Sequence, residues 1–182
     1  MLFIGDSRVL SWETDGLPDT YCITKIADGG LTSHQVLSRL KEIQIPSCDW
    51  VIVQIGINDL HLIKKNGVKD IENCKKNISD IVDFLVFNKK KIILTTLLPI
   101  SKIPIKWAYF WDKRQTIDAI KQINLHILGE QTQKGVFVLD TYKLLASEDG
   151  FLSGEFVDND FFLHVNQNAY AKINATFKDY FY

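Results

Sequence analysis

The sequence predicts an α/β domain organised on a five-stranded parallel sheet. Three observations predict it. Short apolar-rich runs of strand length recur five times along the 182 residues. Segments whose apolar residues repeat every three or four positions separate most of them. The first four runs close on a glycine or a proline, which ends a strand abruptly. Strands joined by helices of this length cross over right-handedly and build a parallel sheet with helices on both faces.

The elements follow in order. Leu2-Phe3-Ile4 runs into Gly5-Asp6-Ser7, a buried strand ending at a small residue with a hydroxyl just past the turn. A short helix extends from Ser7 to Trp12, and Glu13–Asp19 is a polar loop. Tyr21–Ile26 is the second strand and stops at Asp28-Gly29-Gly30. Thr32 or Ser33 caps a helix carrying Val36, Leu37 and Leu40, which Pro46 and Ser47 break. Trp50–Ile55 is nearly all apolar, as a strand buried on both faces must be, and ends at Gly56. Ile71, Cys74, Ile78, Ile81, Val82 and Leu85 mark the clearest helix, with Asp70 placed to cap it. Asn88-Lys89-Lys90-Lys91 reads as a solvated basic turn before a fourth strand, Ile92–Leu98. Ile117, Ile120, Asn124, Ile127 and Leu128 define another helix ending at Gly129, and Val136–Leu139 is the fifth strand. A terminal helix starts at Asn166 or Asn168 and turns Tyr170, Ile173, Phe177 and Phe181 inward.

Composition bounds the function. Residues 1–182 read as one domain, 46% apolar and 24% charged, which excludes a disordered chain. A formal charge of −1 leaves no field to hold nucleic acid or an anionic membrane, so neither partner is expected. Cys22, Cys48 and Cys74 have no C-x-x-C spacing and read as small buried hydrophobes of a reducing compartment. No apolar run approaches 18 residues and the first strand begins at Leu2, so the expected location is cytoplasmic. No His, Cys and carboxylate cluster has ligand spacing, so no metal and no cofactor is expected. Nothing in the sequence assigns an oligomeric state.

In an open parallel sheet, sites form at the carboxyl ends of the strands. Three such ends stand out, at Ser7, Gly30 and Asn58. A serine hydroxyl needs a positioned base, for which histidine is suited, and His164 sits between the last strand and the terminal helix. Attack on an ester carbonyl creates an oxyanion. The backbone N–H groups of Ser7 and Gly30 and the Asn58 amide can meet it, at roughly 3 to 4 kcal/mol for each donor. Each residue also has a plainer role open to it. Ser7 can be a helix cap, Gly30 or Gly29 a turn glycine, and Asn58 a loop cap. Asp59 reads as a loop-holding carboxylate. His34, His61 and His126 show no partner pattern, although His61 is close enough to Asn58 to line a pocket. Arg8, beside the serine, either pairs with an acidic neighbour or meets a polar group of substrate, and Trp12 reads as core.

Gly5-Asp6-Ser7, then Gly30-Leu31-Thr32-Ser33, then Gly56-Ile57-Asn58-Asp59, then His164 with Asn166 and Tyr170, resemble the four sequence blocks of the SGNH (GDSL) hydrolase superfamily. The resemblance runs from residue 3 to residue 170. It implies a flavodoxin-like three-layer α/β/α sandwich and a serine esterase, with the roles of Ser, Gly, Asn and His falling on Ser7, Gly30, Asn58 and His164. One position departs from the pattern. The family's aspartate precedes the histidine by three residues, where this chain has Phe161; Asp160 lies four before and Asp158 six before. A one-residue bulge brings Asp160 onto the imidazole, and this is the assignment adopted. The alternatives are Asp158, a backbone carbonyl in a Ser–His dyad, or two solvated aspartates.

Substrate is read from one segment. Ile100–Trp111 carries Trp107, Tyr109, Phe110 and Trp111 directly after the fourth strand. It lines an acyl or sugar pocket or forms a lid; a packing plug or a dimer contact is the equal alternative. Arg8, His61, Trp107 and Trp111 are the candidate pocket residues. The expectation is a cofactor-free serine esterase acting on short acyl esters, O-acetylated carbohydrate foremost. A lysophospholipid or acyl thioester is the next substrate. Acyl transfer is the competing reaction, and a catalytically impaired ligand-binding module is the non-enzyme alternative.

Overall fold

The computed structural model describes residues 1–17, 22–133, 135–159 and 161–181, the last four without their side chains. Strands β1 (Leu2–Gly5), β2 (Thr24–Ala27), β3 (Trp50–Gln54), β4 (Lys91–Thr95) and β5 (Val136–Leu139) pair in parallel in the order β2-β1-β3-β4-β5. The order reverses between β1 and β3, so the loops after these strands diverge and leave a crevice at their carboxyl ends. Gly5 stands level with both Ala27 and Gln54 in the register, which brings three strand ends to one edge.

Alternating side chains of the sheet feed two cores. On one face, Leu2, Ile4, Val51, Val53, Ile92 and Leu94 pack against α2 (Ser33–Glu42), α4 (Val68–Phe87) and α5 (Lys113–Gly129). On the other, Phe3, Ile52 and Ile93 pack against α1 (Ser7–Leu10), α6 (Thr141–Leu145) and α7 (Gln167–Phe181). The arrangement is a three-layer α/β/α sandwich. Trp12 anchors the second core, edge-on to Phe3 at 5.5 Å and stacked on Tyr170 at 5.5 Å. Its indole Nε1 donates to Asn174 Oδ1 at 2.8 Å, so the one polar atom of a buried ring is satisfied. Among the described residues no helix is long and apolar enough to cross a membrane.

The apolar period located the helices, and several boundaries move. Strand β2 begins at Thr24, not Tyr21, which lies outside the described residues as do Pro18 and Asp19. β3 stops at Gln54 and β4 at Thr95, because the chain there leaves the ladder to form the crevice loops. α1 ends at Leu10, two residues short of Trp12. Asp70 is not the cap of α4. Gly67 occupies that position, and Asp70 sits in the first turn, accepting from Asn66 Nδ2 at 3.0 Å. Leu128 faces outward, 39% exposed, while Ile127 beside it is fully buried, so the core-facing stripe of α5 takes Ile127 and leaves Leu128 off it. The Asn88–Lys91 turn is tied down: Lys90 Nζ donates to Cys48 O at 2.8 Å, and Lys91 opens β4. Of the cysteines only Cys74 is buried; Cys22 is exposed and Cys48 half-buried, so a lack of disulfide spacing did not imply burial. Several short helices escaped the sequence: α3 (Ile63–Asn66), α6, and 3-10 turns over Asn58–Leu62, Ile105–Trp107, Glu130–Thr132 and Gly154–Phe156. Single turns carry too few residues for a period to register.

β1 and α1 approach so closely that no side chain fits at their junction. A Cβ placed on Gly5 would collide with the backbone carbonyl of Gln54 and the side chain of Val9. The carbonyl belongs to β3 and cannot yield. Gly5→Ala is therefore expected to lower unfolding free energy by at least about 3 kcal/mol or to leave the protein insoluble, as read by urea denaturation. A loss under 1 kcal/mol would contradict this packing.

Candidate active site

The site is assembled from loops that follow β1, β2 and β3 and from the loop preceding α7. Asp6 ends the first strand and caps α1, its side chain accepting the Arg8 N–H at 2.9 Å. That bond fixes Ser7 as the first residue of the helix, half-buried at the crevice. His164 arrives from the far end of the chain. Its Nε2 lies 3.2 Å from Ser7 Oγ, across a separation of 157 residues.

Arg8 brings the histidine there. Its guanidinium is 1% exposed, with Nε donating to Leu163 O at 2.7 Å and Nη1 to Leu98 O at 3.2 Å. Tyr170 in α7 donates its hydroxyl to the Arg8 carbonyl at 2.7 Å. The residue after the serine thus grips the residue before the histidine. Arg8 borders the cleft, but its bonds go to backbone carbonyls. The Asp6 charge beside it is the acidic neighbour its place in the sequence suggested, and the grip on the histidine loop is a further role the sequence did not show.

The second and third loops are clasped in the same way. Gly30 takes a left-handed backbone, φ +75°, which favours glycine and distinguishes it from Gly29. Thr32 caps α2 in a reciprocal box with Gln35. Asn58 Nδ2 donates one hydrogen to Leu31 O at 3.0 Å, so its amide is oriented by the neighbouring loop and a second N–H stays available. Asp59 accepts both the Ser33 N–H at 2.8 Å and the Ser33 hydroxyl, the loop-holding task its position suggested.

Ser7, Gly30, Asn58 and His164 all line one cleft of about 320 Å³. Its remaining walls are mostly apolar and include Ile57, Trp107, Trp111, Phe161 and Leu163. His61 stacks on Phe110 at 5.2 Å and meets Trp111 at 6.0 Å, lining the cleft as its place near Asn58 suggested. Trp111 is 3% exposed, serving as core and wall together. A second, more polar hollow of about 540 Å³ adjoins on the Gly30 and Asn58 side, reaching Gln35, Asn66 and Asp70. Asp160 lies outside the described residues; Asp158 is described and half-buried. His34 is exposed at the start of α2. His126 contacts Ser79 Oγ at 2.9 Å between α4 and α5, on the other side of the sheet from α1. Among the described residues no group of three His, Cys, Asp or Glu side chains is placed to hold a metal.

The sequence matches the family model described as GDSL-like lipase/acylhydrolase over residues 5–172. The chain belongs to that family. It is accordingly a hydrolase of ester bonds. Similar solved structures include a GDSL-like lipase from Bacteroides thetaiotaomicron, 23% identical with a TM-score of 0.79, covering 98% of this chain and 85% of that one. A member of the lipolytic G-D-S-L family from Veillonella parvula is 14% identical, TM-score 0.71, covering 99% and 96%. An acetyl xylan esterase, AlAXEase, is 14% identical with a TM-score of 0.73 and aligns over 100% of both chains. These likenesses agree with the GDSL three-layer fold. No curated protein matches the chain significantly in sequence.

Burial sets the electrostatics beneath the cleft. Desolvation lifts the Asp6 carboxyl to about 6, against the opposing pull of the Arg8 charge and the Arg8 N–H bond. The same cause lowers the Arg8 guanidinium, which Asp6 in turn holds up. Because the folded protein holds the Asp6 proton more tightly than the unfolded chain, Asp6 favours folding below the ordinary carboxylate range, and that contribution is lost as pH rises through about 6. Asn can keep the cap without titrating. Between pH 3.5 and 7.5, wild type is therefore expected to lose on the order of 3 kcal/mol of unfolding free energy relative to Asp6→Asn. Paired urea titrations at the two pH values read this directly, and a difference independent of pH would refute the buried carboxyl.

Proposed function

We propose that the chain is a serine esterase that removes short acyl groups, acetyl foremost, from carbohydrate hydroxyls through an acyl-Ser7 intermediate. The 3.2 Å approach of His164 Nε2 to Ser7 Oγ carries this reading. It is the distance over which a base takes a hydroxyl proton.

Ser7 Oγ attacks the ester carbonyl carbon while its proton passes to His164 Nε2. The carbonyl oxygen gains negative charge and accepts hydrogen bonds from the Ser7 and Gly30 N–H groups and from the free N–H of Asn58. Collapse breaks the bond to the alcohol oxygen, which leaves with the imidazolium proton. Water then attacks the acyl carbon and gives a proton to the same nitrogen; the bond to Ser7 Oγ breaks, Oγ takes that proton back from the imidazolium, and the acid leaves. Asp160 is assigned to orient His164 by its place in the loop. The volume and apolar walls of the cleft favour a short acyl group. An acetyl xylan esterase with the same fold over its whole length supports a carbohydrate ester.

A fluorophosphonate is expected to label wild type at Ser7 and to leave Ser7→Ala unlabelled. Ser7→Ala should also lose at least roughly 10⁴-fold in kcat on p-nitrophenyl acetate. Within a panel of p-nitrophenyl esters from two to twelve carbons, kcat/KM should peak at the short end. A wild-type protein that takes no label defeats the proposal.

The loop aspartates are separated by kinetics. Asp160→Asn is expected to lower kcat by roughly 10²- to 10⁴-fold, and Asp158→Asn by less than tenfold. The reverse order would reassign the acid.

A further inference from the structure

The cleft at Ser7 adjoins a larger hollow. A groove of about 630 Å³ runs between the segment after β4 and the loops spanning residues 147–162. Groove and cleft share Trp107 and Phe161 as common walls. The aromatic rings form a continuous run outward from the imidazole. Phe161 meets His164 edge-on at 5.3 Å, Trp107 meets Phe161 edge-on at 5.4 Å, and Trp107 tilts against Phe162 at 6.2 Å. Trp107 and Phe161 are only half-buried, so each keeps ring surface toward solvent.

Polar groups break up these walls, among them Lys102, Asp149 and Asn159. Asp149 is held in position, accepting from Ser147 Oγ at 2.7 Å and from the Phe151 N–H at 3.1 Å. A sugar ring presents C–H groups on its faces and hydroxyls around its edge. Flat rings flanked by polar and charged groups match that pattern, whereas a fatty chain would leave the charged groups desolvated and unpaired.

The direction of the chemistry decides which half of the ester the groove serves. His164 gives its proton to the departing oxygen, so the alcohol lies on the imidazole side of Ser7, where the aromatic run begins. We infer that this groove binds sugar units adjoining the esterified one, their faces laid on Trp107 and Phe161 and their hydroxyls met by Lys102, Asp149 and Asn159. The assignment rests on the esterase reading and narrows it: the preferred alcohol half is an oligosaccharide.

The test uses three substrates: p-nitrophenyl acetate, acetylated methyl xyloside and acetylated xylotriose. Wild type should show kcat/KM at least tenfold higher for the trisaccharide ester than for the monosaccharide ester. Gly154 offers a blocking site on the groove, since a Cβ there meets open space and its backbone suits any residue. Gly154→Trp should lower the ratio of kcat/KM for acetylated xylotriose to that for p-nitrophenyl acetate at least tenfold, mainly through KM. Trp107→Ala should move the ratio the same way. Equal kcat/KM for the two sugar esters, with an unmoved ratio in Gly154→Trp, overturns the groove assignment while hydrolysis of p-nitrophenyl acetate leaves the esterase standing. A wild type that neither turns over p-nitrophenyl acetate nor takes a fluorophosphonate sinks the esterase instead. Calorimetry with unacetylated xylotriose then decides the groove alone: heat of binding lost in Gly154→Trp supports it, and no binding to wild type overturns it.

Discussion

A guanidinium buried under the crevice joins the two ends of this chain. Arg8 lies one residue past Ser7, and its Nε bond ends on Leu163, one residue before His164. A bond from a charged donor contributes about 1.5 to 3 kcal/mol, while a lone charge buried without partners costs several. Arg8 is therefore stable in place only while Leu163 O, Leu98 O and the Asp6 charge surround it. Those partners come from the histidine loop, the chain after β4 and the first turn. The meeting of Ser7 and His164 is thus tied to the two carbonyls that Arg8 Nε and Nη1 reach, while its Nη2 is buried without a hydrogen-bond partner among the described residues.

The opposite side of the cleft obeys the same economy with neutral groups. Asn58 answers to Leu31 O, and Ser33 answers to Asp59, so the second and third loops set each other's positions. Burial raises the Asp59 carboxyl, and the two Ser33 bonds oppose that rise. Asp6 lies close enough to feel the Asp59 charge, but its own rise is opposed by Arg8, whereas that of Asp59 is opposed by hydrogen bonds. In the proposed reaction these clasped loops hold the amide donors in place before substrate arrives, the condition under which hydrogen bonds stabilise developing charge most strongly.

Division of labour between the surrounding hollows follows from their walls. The cleft at Ser7 is small and mostly apolar, the hollow beyond Gly30 is polar, and the groove beyond Phe161 alternates rings with charged groups. Under the proposed mechanism an ester laid across Ser7 has its carbonyl oxygen drawn toward the amide donors and its alcohol toward the imidazole. The Ile100–Trp111 segment is then neither an idle plug nor a detached lid. Trp111 closes the core, and Trp107 is the wall between cleft and groove, while Ile105 and Tyr109 remain at the surface.

The order of strands and helices was legible in the sequence because burial on one face imprints a local period. The Ile71–Leu85 repeat reappears residue for residue as the buried face of α4, and Val136–Leu139 is β5 without adjustment. Ser7, Gly30 and Asn58 stood out because strand ends in a parallel sheet converge on one edge, and the likeness of four short blocks to the GDSL pattern added His164, in the loop before α7. Contacts of long separation left no such imprint. Nothing near Arg8 in sequence marks Leu163 as its partner, and nothing in the Lys89–Lys91 run reveals that Lys90 would reach Cys48 O. Single-turn helices and the exposure of Cys22 were invisible for a related reason: each depends on what happens to pack alongside. Periodicity and turn chemistry, which act within a few residues, marked the layers, and the likeness of four short blocks to a known pattern marked the residues that line the cleft. Which loops clasp one another, and where the rings of Trp107 and Phe161 stand, emerged in the folded chain alone, because such contacts are selected by closing the whole chain around both faces of the sheet.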